Sequence, residues 1–471
     1  MAGLHVKKAR RPAPHATARF LAWVWRGGGG PANLPGMATK PTHVLILGSG
    51  GREHALGWKL KQSKSCGEVF FGPGNGGTDG VGKNVDLSPE PVNTKNVDAI
   101  DYFCRQNEVE LLVVGPEDPL CGGLVDRLKK PGRHVFGPTA EAAKLEGDKA
   151  YAKQLMRAAA IPTAEARVFK DYPAAVAYVE SREEPVVVKA AGLAKGKGAI
   201  VTSSTQEAAD ALKRIMKTRE FGEAGDQVVI EEKLTGQEVS VLALVDGRNL
   251  YRLDPCQDHK QVGEGDTGPN TGGMGAYCPT PIVDDAALSE IDRRVLVPTV
   301  DAMRRSGVAF TGVLYAGLML TPAGPKVLEF NTRFGDPETQ PLMTRLKGDL
   351  VQAMIATCEG RLDEVDLSWD KRTACCVVMA SGGYPGSYEK NKPITGVEDA
   401  EADEGVHVFH AGTAKTPDGT LVTAGGRVLG VTALADTLKA ARDKANAACE
   451  KIHFEGKQYR RDIGHRVMKT V

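Results

Sequence analysis

From Thr42 to Pro138 short apolar runs alternate with longer amphipathic stretches. "HVLILG", "EVFFGPGN", "ELLVVGPEDPL" and "HVFGPT" predict buried strands, each breaking into glycine or polar residues. "REHALGWKLKQS" and "VDAIDYFCRQNEV" predict helices between them. Strands that alternate with helices imply an α/β fold built on a doubly wound parallel sheet, whose ligands sit at the carboxyl ends of the strands. Three of those ends are rich in glycine and polar groups: Gly48–Glu53, Gly72–Gly77 and Gly115–Asp118.

The pattern changes near Ala143. "EAAKLEGDKAYAKQLMRAAAIPT" predicts a helix pair closed by Pro162, and "PVVVKAAGLAKGKGAIVTSS" two strands joined by a loop of glycine and lysine. A helix, "QEAADALKRIMKTREFG", and two strands in "QVVIEEKLTGQEVSVLALVDG" follow. The unit from Phe169 to Lys233 has the size of a mobile lid. Beyond it lie a long helix near Ala286 to Arg305 and the strands "YAGLML" and "KVLEFNTRFGDPETQ". From about Lys371 come strand pairs such as "HVFHAGT" and "VTAGGRVLGVTA", then the helix "LADTLKAARDKANAACEKI". A chain of 471 residues exceeds a single core. The expected division is a leader at 1–36, an N-terminal domain at 37–142, a central domain at 143–370 with its lid at about 166–233, and a C-terminal α+β domain at 371–471.

Composition narrows the function classes. Lys and Arg number 60 against 59 Asp and Glu, which argues against a general nucleic-acid or membrane-surface role. Glycine, at 55 residues, is enriched over the usual ~7% without a G-X-Y period, as in a protein with many functional loops. The nine cysteines contain no C-x-x-C pair and are read as reduced thiols. No apolar run approaches the ~18 residues of a membrane span. Residues 1–36 hold six Lys and Arg and no acidic residue. This is the signature of an organelle transit peptide, with the plastid favoured over the mitochondrion. The alternative is translation from Met37 and a cytoplasmic enzyme.

Four stretches carry candidate chemistry. In "VVVKAAGLAKGKGAI" Lys189 ends an apolar strand, and Gly192, Gly196 and Gly198, with Lys195 and Lys197, let the backbone close over an anion. No Ser or Thr follows the lysine, so this is no P-loop. In "VVIEEKLTGQEVS" a strand ends in Glu231 and Glu232, with Leu234 and Glu238 beyond. A strand edge suits adenine, and a carboxylate suits ribose hydroxyls. In "KVLEFNTRFGDPETQ" Glu329 and Asn331 lie two apart on a strand and share a face. They offer hard oxygens for Mg²⁺ bridging phosphates, with Arg333 next in line to neutralise an oxygen, and Asp336 and Glu338 following in a loop. "QDHKQVGEGDTGPNTGGMGAY" places Asp258, His259 and Lys260 in a polar loop with six glycines, more like a functional segment than a connector. At the first strand, Gly48, Gly50 and Gly51 approach a dinucleotide fingerprint, but Glu53 stands at its third glycine.

The order and wording of these stretches resemble the ATP-grasp superfamily and, within it, the phosphoribosylamine–glycine ligase family. The likeness runs from about Val44 to Arg466 and rests on "GSGGREHA", "PGNGGT", "VGPEDPL", "KLEGDKAYAK", "QDHK", "GPNTGGMGAY", "EFNTRFGDPETQP", "SGGYPG" and "GGRVL". It implies ligation of glycine to 5-phosphoribosylamine through glycyl phosphate, driven by ATP with Mg²⁺ or Mn²⁺, in purine synthesis. It also implies a monomer with small-molecule substrates and neither nucleic acid nor membrane as partner. Lys149, Lys189, Gly192, Gly196, Lys197, Gly198, Glu231, Glu232, Leu234 and Glu238 would then hold ATP, and Glu329 and Asn331 the metal. Arg333, Asp258 and Lys260 would serve the chemistry. The substrates would fall to Gly50, Gly51, Arg52, Glu53, Pro116, Glu117, Asp118, Asn270, Thr271, Gly272, Gly273 and Asp336. The chain departs from the family wording at Ala191, Lys195 and Gln261, and "LYAGLML" lacks a second acidic metal ligand.

Overall fold

The computed structural model describes residues 6–8, 40–88, 91–194 and 197–468. Most of the leader, together with Lys195 and Gly196, lies outside the described residues. The apolar run Val44–Leu47 is wholly buried, because a central parallel strand is covered on both faces. It forms β1 (Thr42–Gly48), which leads into α1 (Gly51–Lys61), β2 (Cys66–Pro73), β3 (Lys83–Asn84), α2 (Val97–Gln106), β4 (Val109–Val114), α3 (Glu117–Cys121) and β5 (His134–Phe136). The sheet runs β3-β2-β1-β4-β5, and every pair in it is parallel.

Helices α4 (Ala140–Gly147) and α5 (Lys149–Ala158) follow, split at Asp148, whose carboxylate caps α5 by accepting from the N–H groups of Ala150 and Tyr151. The next unit has its own sheet and small core. Its strands are β6 (Ala166–Phe169), β7 (Val186–Ala190), β8 (Ala199–Val201) and β9 (Val228–Glu232), ordered β6-β9-β7-β8 and antiparallel throughout. A separate apolar cluster, Val188, Ala190, Leu212, Ile215 and Val228 among others, holds this unit together.

The central sheet is built on β10 (Gln237–Asp246), β11 (Leu250–Arg252), β12 (Thr311–Thr321) and β13 (Gly324–Asn331), in the order β11-β10-β12-β13, with Val6–Lys8 beside β11. The stretch from Ala286 to Arg305 is not one regular α-helix. Two α-helices, Asp285–Ile291 and Val297–Arg305, flank a wider π turn at Asp292–Leu296. Pro298 enters there, and its ring and missing N–H disfavour a regular turn before it.

The C-terminal sheet contains β16 (Thr373–Ala380), β17 (Val406–His410) and β18 (Arg427–Ala435), backed by α6 (Leu438–Lys451). It is completed by two short strands from the polar glycine segment, β14 (Gln257–Asp258) and β15 (Gly275–Cys278). The sheet therefore crosses the division expected near residue 371. "QDHK" and "GGMGAY" are built into the C-terminal layer as much as into the central one.

Candidate active site

Strand β13, which carries Glu329 and Asn331, shows how local sequence sets the site. Gly317 on β12 pairs with Glu329, Leu318 with Val327, and the register shifts between them. The bulge turns the Leu328 carbonyl to accept from Lys189 Nζ at 3.0 Å. Lys189 also lies 3.0 Å from Glu231, and Lys153 lies 3.2 Å from the same carboxylate. All three are buried. Lys149 Nζ donates to the Gly192 carbonyl at 3.1 Å, tying the start of α5 to the glycine loop after β7.

Glu329 has no hydrogen-bond or ion-pair partner among the described residues. Burial opposes its ionisation, yet the fields of Lys260, Lys189, Lys149 and Arg333 hold its carboxyl below the usual range. Arg333 is anchored from behind: Nη2 lies 2.8 Å from Glu146 and 3.2 Å from Asn331 Oδ1, and Nε lies 3.3 Å from Glu117. Glu146 also accepts from Thr332 N at 2.7 Å. Glu329 is thus an available carboxylate and Asn331 an oriented amide oxygen on one strand face. Among the described residues no group of three or more His, Cys, Asp or Glu side chains is arranged to hold a metal ion. The pair fits a hard cation whose remaining ligands are phosphate oxygens and water.

Across from this strand, Lys260 lies 2.9 Å from Glu238, and that carboxylate raises its pKa. Asp258 Oδ1 is buried without a hydrogen-bond partner among the described residues. Burial, and then the nearby Glu338 charge, push the Asp258 carboxyl well above the usual range. Glu338 is itself engaged, accepting from Tyr315 at 2.7 Å and Ser240 at 3.3 Å. Gly273 packs against this group at φ +111°, where an added Cβ would meet Pro337 at 2.5 Å and Asp258 Oδ1 at 2.9 Å; only glycine fits. Thr271 Oγ1 donates to the Lys260 carbonyl at 2.7 Å and Gly272 N to the Tyr384 hydroxyl at 3.1 Å, while Asn270 is exposed at the end of a short strand.

The glycine turn after β1 is filled by its own helix. Glu53 Oε2 accepts from Gly50 N at 2.7 Å and Oε1 from Arg52 Nε at 2.6 Å. A Cβ on Gly115 would lie 2.1 Å from Glu53 Oε1. Arg52 Nη1 donates to the Phe334 carbonyl at 3.1 Å. The two residues read as substrate ligands, Arg52 and Glu53, thus brace the turn itself. Both are buried and bonded to each other, and the carboxylate occupies the space a fingerprint would leave for phosphate. Asp336 stands at the same helix start, accepting from Arg52 N at 3.2 Å and lying 3.3 Å from Arg427. Gly51 lies against Asp336 and Gln340, and Pro116 and Glu117 begin α3, with Asp118 in its first turn.

The carboxylates read as ribose acceptors are also committed elsewhere. Glu231 holds the two lysines, Glu232 accepts from Lys326 at 2.8 Å, and Glu238 holds Lys260. Leu234 is partly buried after β9, and Lys197, beside Gly198, donates to the Pro385 carbonyl at 3.3 Å. This contact brings the loop after β7 against the C-terminal domain.

Four residues of the site escaped the sequence reading as functional groups: Glu146, Tyr315, Tyr384 and Arg427. Arg427 donates to the carbonyls of Gly272 at 2.7 Å and Asp336 at 2.8 Å. Its "GGRVL" setting marks a turn, but its partners lie far away in sequence.

A small antiparallel unit with a glycine and lysine loop beside a Glu-x-Asn strand, joined to a parallel-sheet domain and a C-terminal layer, defines the class of ATP-grasp ligases. Family models describe the same three parts: the N domain of phosphoribosylglycinamide synthetase matches residues 42–146, its ATP-grasp (A) domain residues 147–339 and its C domain residues 374–466. The chain belongs to the phosphoribosylglycinamide synthetase, or phosphoribosylamine–glycine ligase, family. It is 53% identical to the phosphoribosylamine–glycine ligase of Rhodopirellula baltica over 435 residues, covering 91% of this chain and 98% of that one. It is 49% identical to the trifunctional purine biosynthetic protein adenosine-3 of Gallus gallus, covering 90% of this chain and 42% of that longer protein. The crystal structure of phosphoribosylamine–glycine ligase from Thermotoga maritima superposes with a TM-score of 0.78 at 37% identity, covering 90% of this chain and all of that one.

Proposed function

We propose that this chain joins glycine to 5-phosphoribosylamine with cleavage of ATP to ADP and phosphate, forming glycinamide ribonucleotide in purine synthesis. The observation that carries the reading is the convergence of Lys149, Lys189, Lys260 and Arg333 on the unpartnered Glu329 carboxylate. Phosphoryl transfer needs charge neutralisation and alignment more than covalent help. Lys149, Lys189 and the loop Gly192–Gly198 hold the ATP phosphates. Glu329 and Asn331 hold Mg²⁺ or Mn²⁺, which when bound neutralises phosphate oxygens.

The glycine carboxylate takes the γ-phosphoryl group and ADP is released. The amine of phosphoribosylamine then attacks the acyl carbon, the carbon–oxygen bond to phosphate breaks, and the nitrogen loses a proton. Asp258, with its free oxygen, accepts from the amino groups, and Lys260 and Arg333 stabilise the transferring and departing phosphate. Gly50, Gly51, the segment Pro116–Asp118, Asn270–Gly273 and Asp336 border the acceptor side. The lid excludes water, which would hydrolyse an acyl phosphate.

A coupled ADP-release assay tests the assignment. Release should require glycine and phosphoribosylamine together, and release indifferent to glycine would overturn it. Residues 1–36 are proposed as a plastid address on their acid-free, basic composition; a reporter carrying them that stays in the cytosol would refute that.

A further inference from the structure

The segment from Asp258, the last residue of β14, to Lys260 is held from behind by residues 460–466. His259 alternates to the opposite side from its two neighbours and has no solvent exposure. Its Nε2 accepts from Gly464 N at 3.0 Å, so its ring is neutral with the proton on Nδ1. Arg460, 1% exposed, donates to Asp462 at 2.8 and 2.9 Å, to Asp266 at 3.0 Å and to the Gln261 carbonyl at 3.1 Å. Arg466 reaches Asp266 at 2.7 Å and the Asp258 carbonyl at 3.4 Å. Asp462 accepts from Gly265 N at 2.8 Å, and Arg461 N donates to Glu264 at 3.1 Å. Gly464 sits at φ +82°, in the left-handed region that directs its N–H onto the imidazole.

This is a costly way to gain stability. A fully buried guanidinium among carboxylates is commonly no better than an apolar cluster of the same volume, and what it supplies is a defined geometry. The site has a use for such geometry. Among the described residues Asp258 Oδ1 makes no hydrogen bond, so its direction is set by packing against Gly273 and by how the backbone that carries it is held. The bonds from 460–466 run to residues 258–266, whereas the ATP-phosphate groups Lys149, Lys189 and Glu329 stand on other elements.

We propose that His259, Arg460 and Arg466 are positioning residues: the C-terminal segment is a latch that sets Asp258 for the amino substrates, independently of ATP binding. The inference rests on the assignment of Asp258 made above.

The test is substrate-titration kinetics on the full-length enzyme. His259→Leu should lower kcat/KM for glycine on the order of 10- to 100-fold, the scale of a small misplacement of a catalytic group. The KM for ATP should stay within about twofold, the latch having no share in phosphate binding. His259→Gln places an acceptor near the position of Nε2 and should restore most of the loss. If His259→Leu does not fold, Arg466→Met, at a partly exposed site, keeps the stem but removes the bonds to Asp266 and the Asp258 carbonyl, and should give the same split. Equal losses toward ATP and glycine, or identical behaviour of the Leu and Gln variants, would overturn the latch. Asp258→Asn separates the two ideas. If it is inactive while His259→Leu and Arg466→Met are silent, the latch alone fails. If Asp258→Asn is itself silent, the site assignment fails and the latch with it.

Discussion

Arg333 lies 2.8 Å from Glu146, and the pair bolts the end of β13 to the last turn of α4. Glu146 is almost wholly buried and also receives both the N–H and the hydroxyl of Thr332. Glu146→Ala would leave a buried guanidinium without its closest counter-charge, which typically costs about 3–5 kcal/mol. Denaturant unfolding should show that loss. Glu146→Gln, which keeps an acceptor for Thr332, should lose less; equal stability of the Ala variant and the parent would contradict the assignment.

Glu329→Gln should leave a folded protein with ligase turnover reduced at least about 100-fold, since electrostatic stabilisation of a transferring phosphoryl group commonly carries several kcal/mol. The shape of the side chain is kept and no hydrogen bond of the described structure is broken. Steady-state ADP release at saturating Mg²⁺ measures it, and near-normal turnover would remove Glu329 from the metal site.

Arg52→Ala should act on stability and not on one substrate. The guanidinium braces Glu53 at 2.6 Å and the Phe334 carbonyl at 3.1 Å. Its removal strands a buried carboxylate at a cost of about 3–5 kcal/mol. The melting temperature should fall, and the KM values for ATP and phosphoribosylamine should change together. A selective rise for phosphoribosylamine at unchanged stability would restore Arg52 as a phosphate ligand.

Stability should decline in mild acid. Burial, with the neighbouring His410 adding to it, lowers His54 to about 3, and burial lowers His410 to about 4. Both folded-state values lie below the ordinary 6.5. The stabilisation linked to these neutral rings is therefore complete above pH 6.5 and is lost as pH falls from 6.5 toward 4 and 3. Each ring contributes a slope of about 1.4 kcal/mol per pH unit within its window. His54→Asn keeps an acceptor for the His410 N–H, now bonded to Nδ1 at 2.8 Å. Urea unfolding between pH 6 and 4 should show a slope shallower by about that amount, and an unchanged slope would argue against a neutral buried His54.

The sequence alone determined what depends on short-range pattern. Continuous apolar runs that break into glycine, such as Val44–Leu47, read as strands covered on both faces, and once "KVLEFN" is a strand its period of two puts Glu329 and Asn331 on one face. The glycine and lysine loop after Lys189 was legible for the same reason, since backbone freedom and charge are local properties. Tertiary structure decided who pairs with whom. Glu231 reads as an ATP ligand at a strand end, and the structure adds that Lys153 and Lys189 close on it; Arg52 reads as a substrate ligand, and the structure adds its bonds to Glu53 and Phe334. Glu146 and Arg427 had no local mark because their partners lie 187 and 91 residues away, at Arg333 and Asp336. Charges in water are nearly indifferent to such distant neighbours. Once burial lowers the dielectric, partner choice becomes worth kilocalories, and only the folded chain states which partners are there.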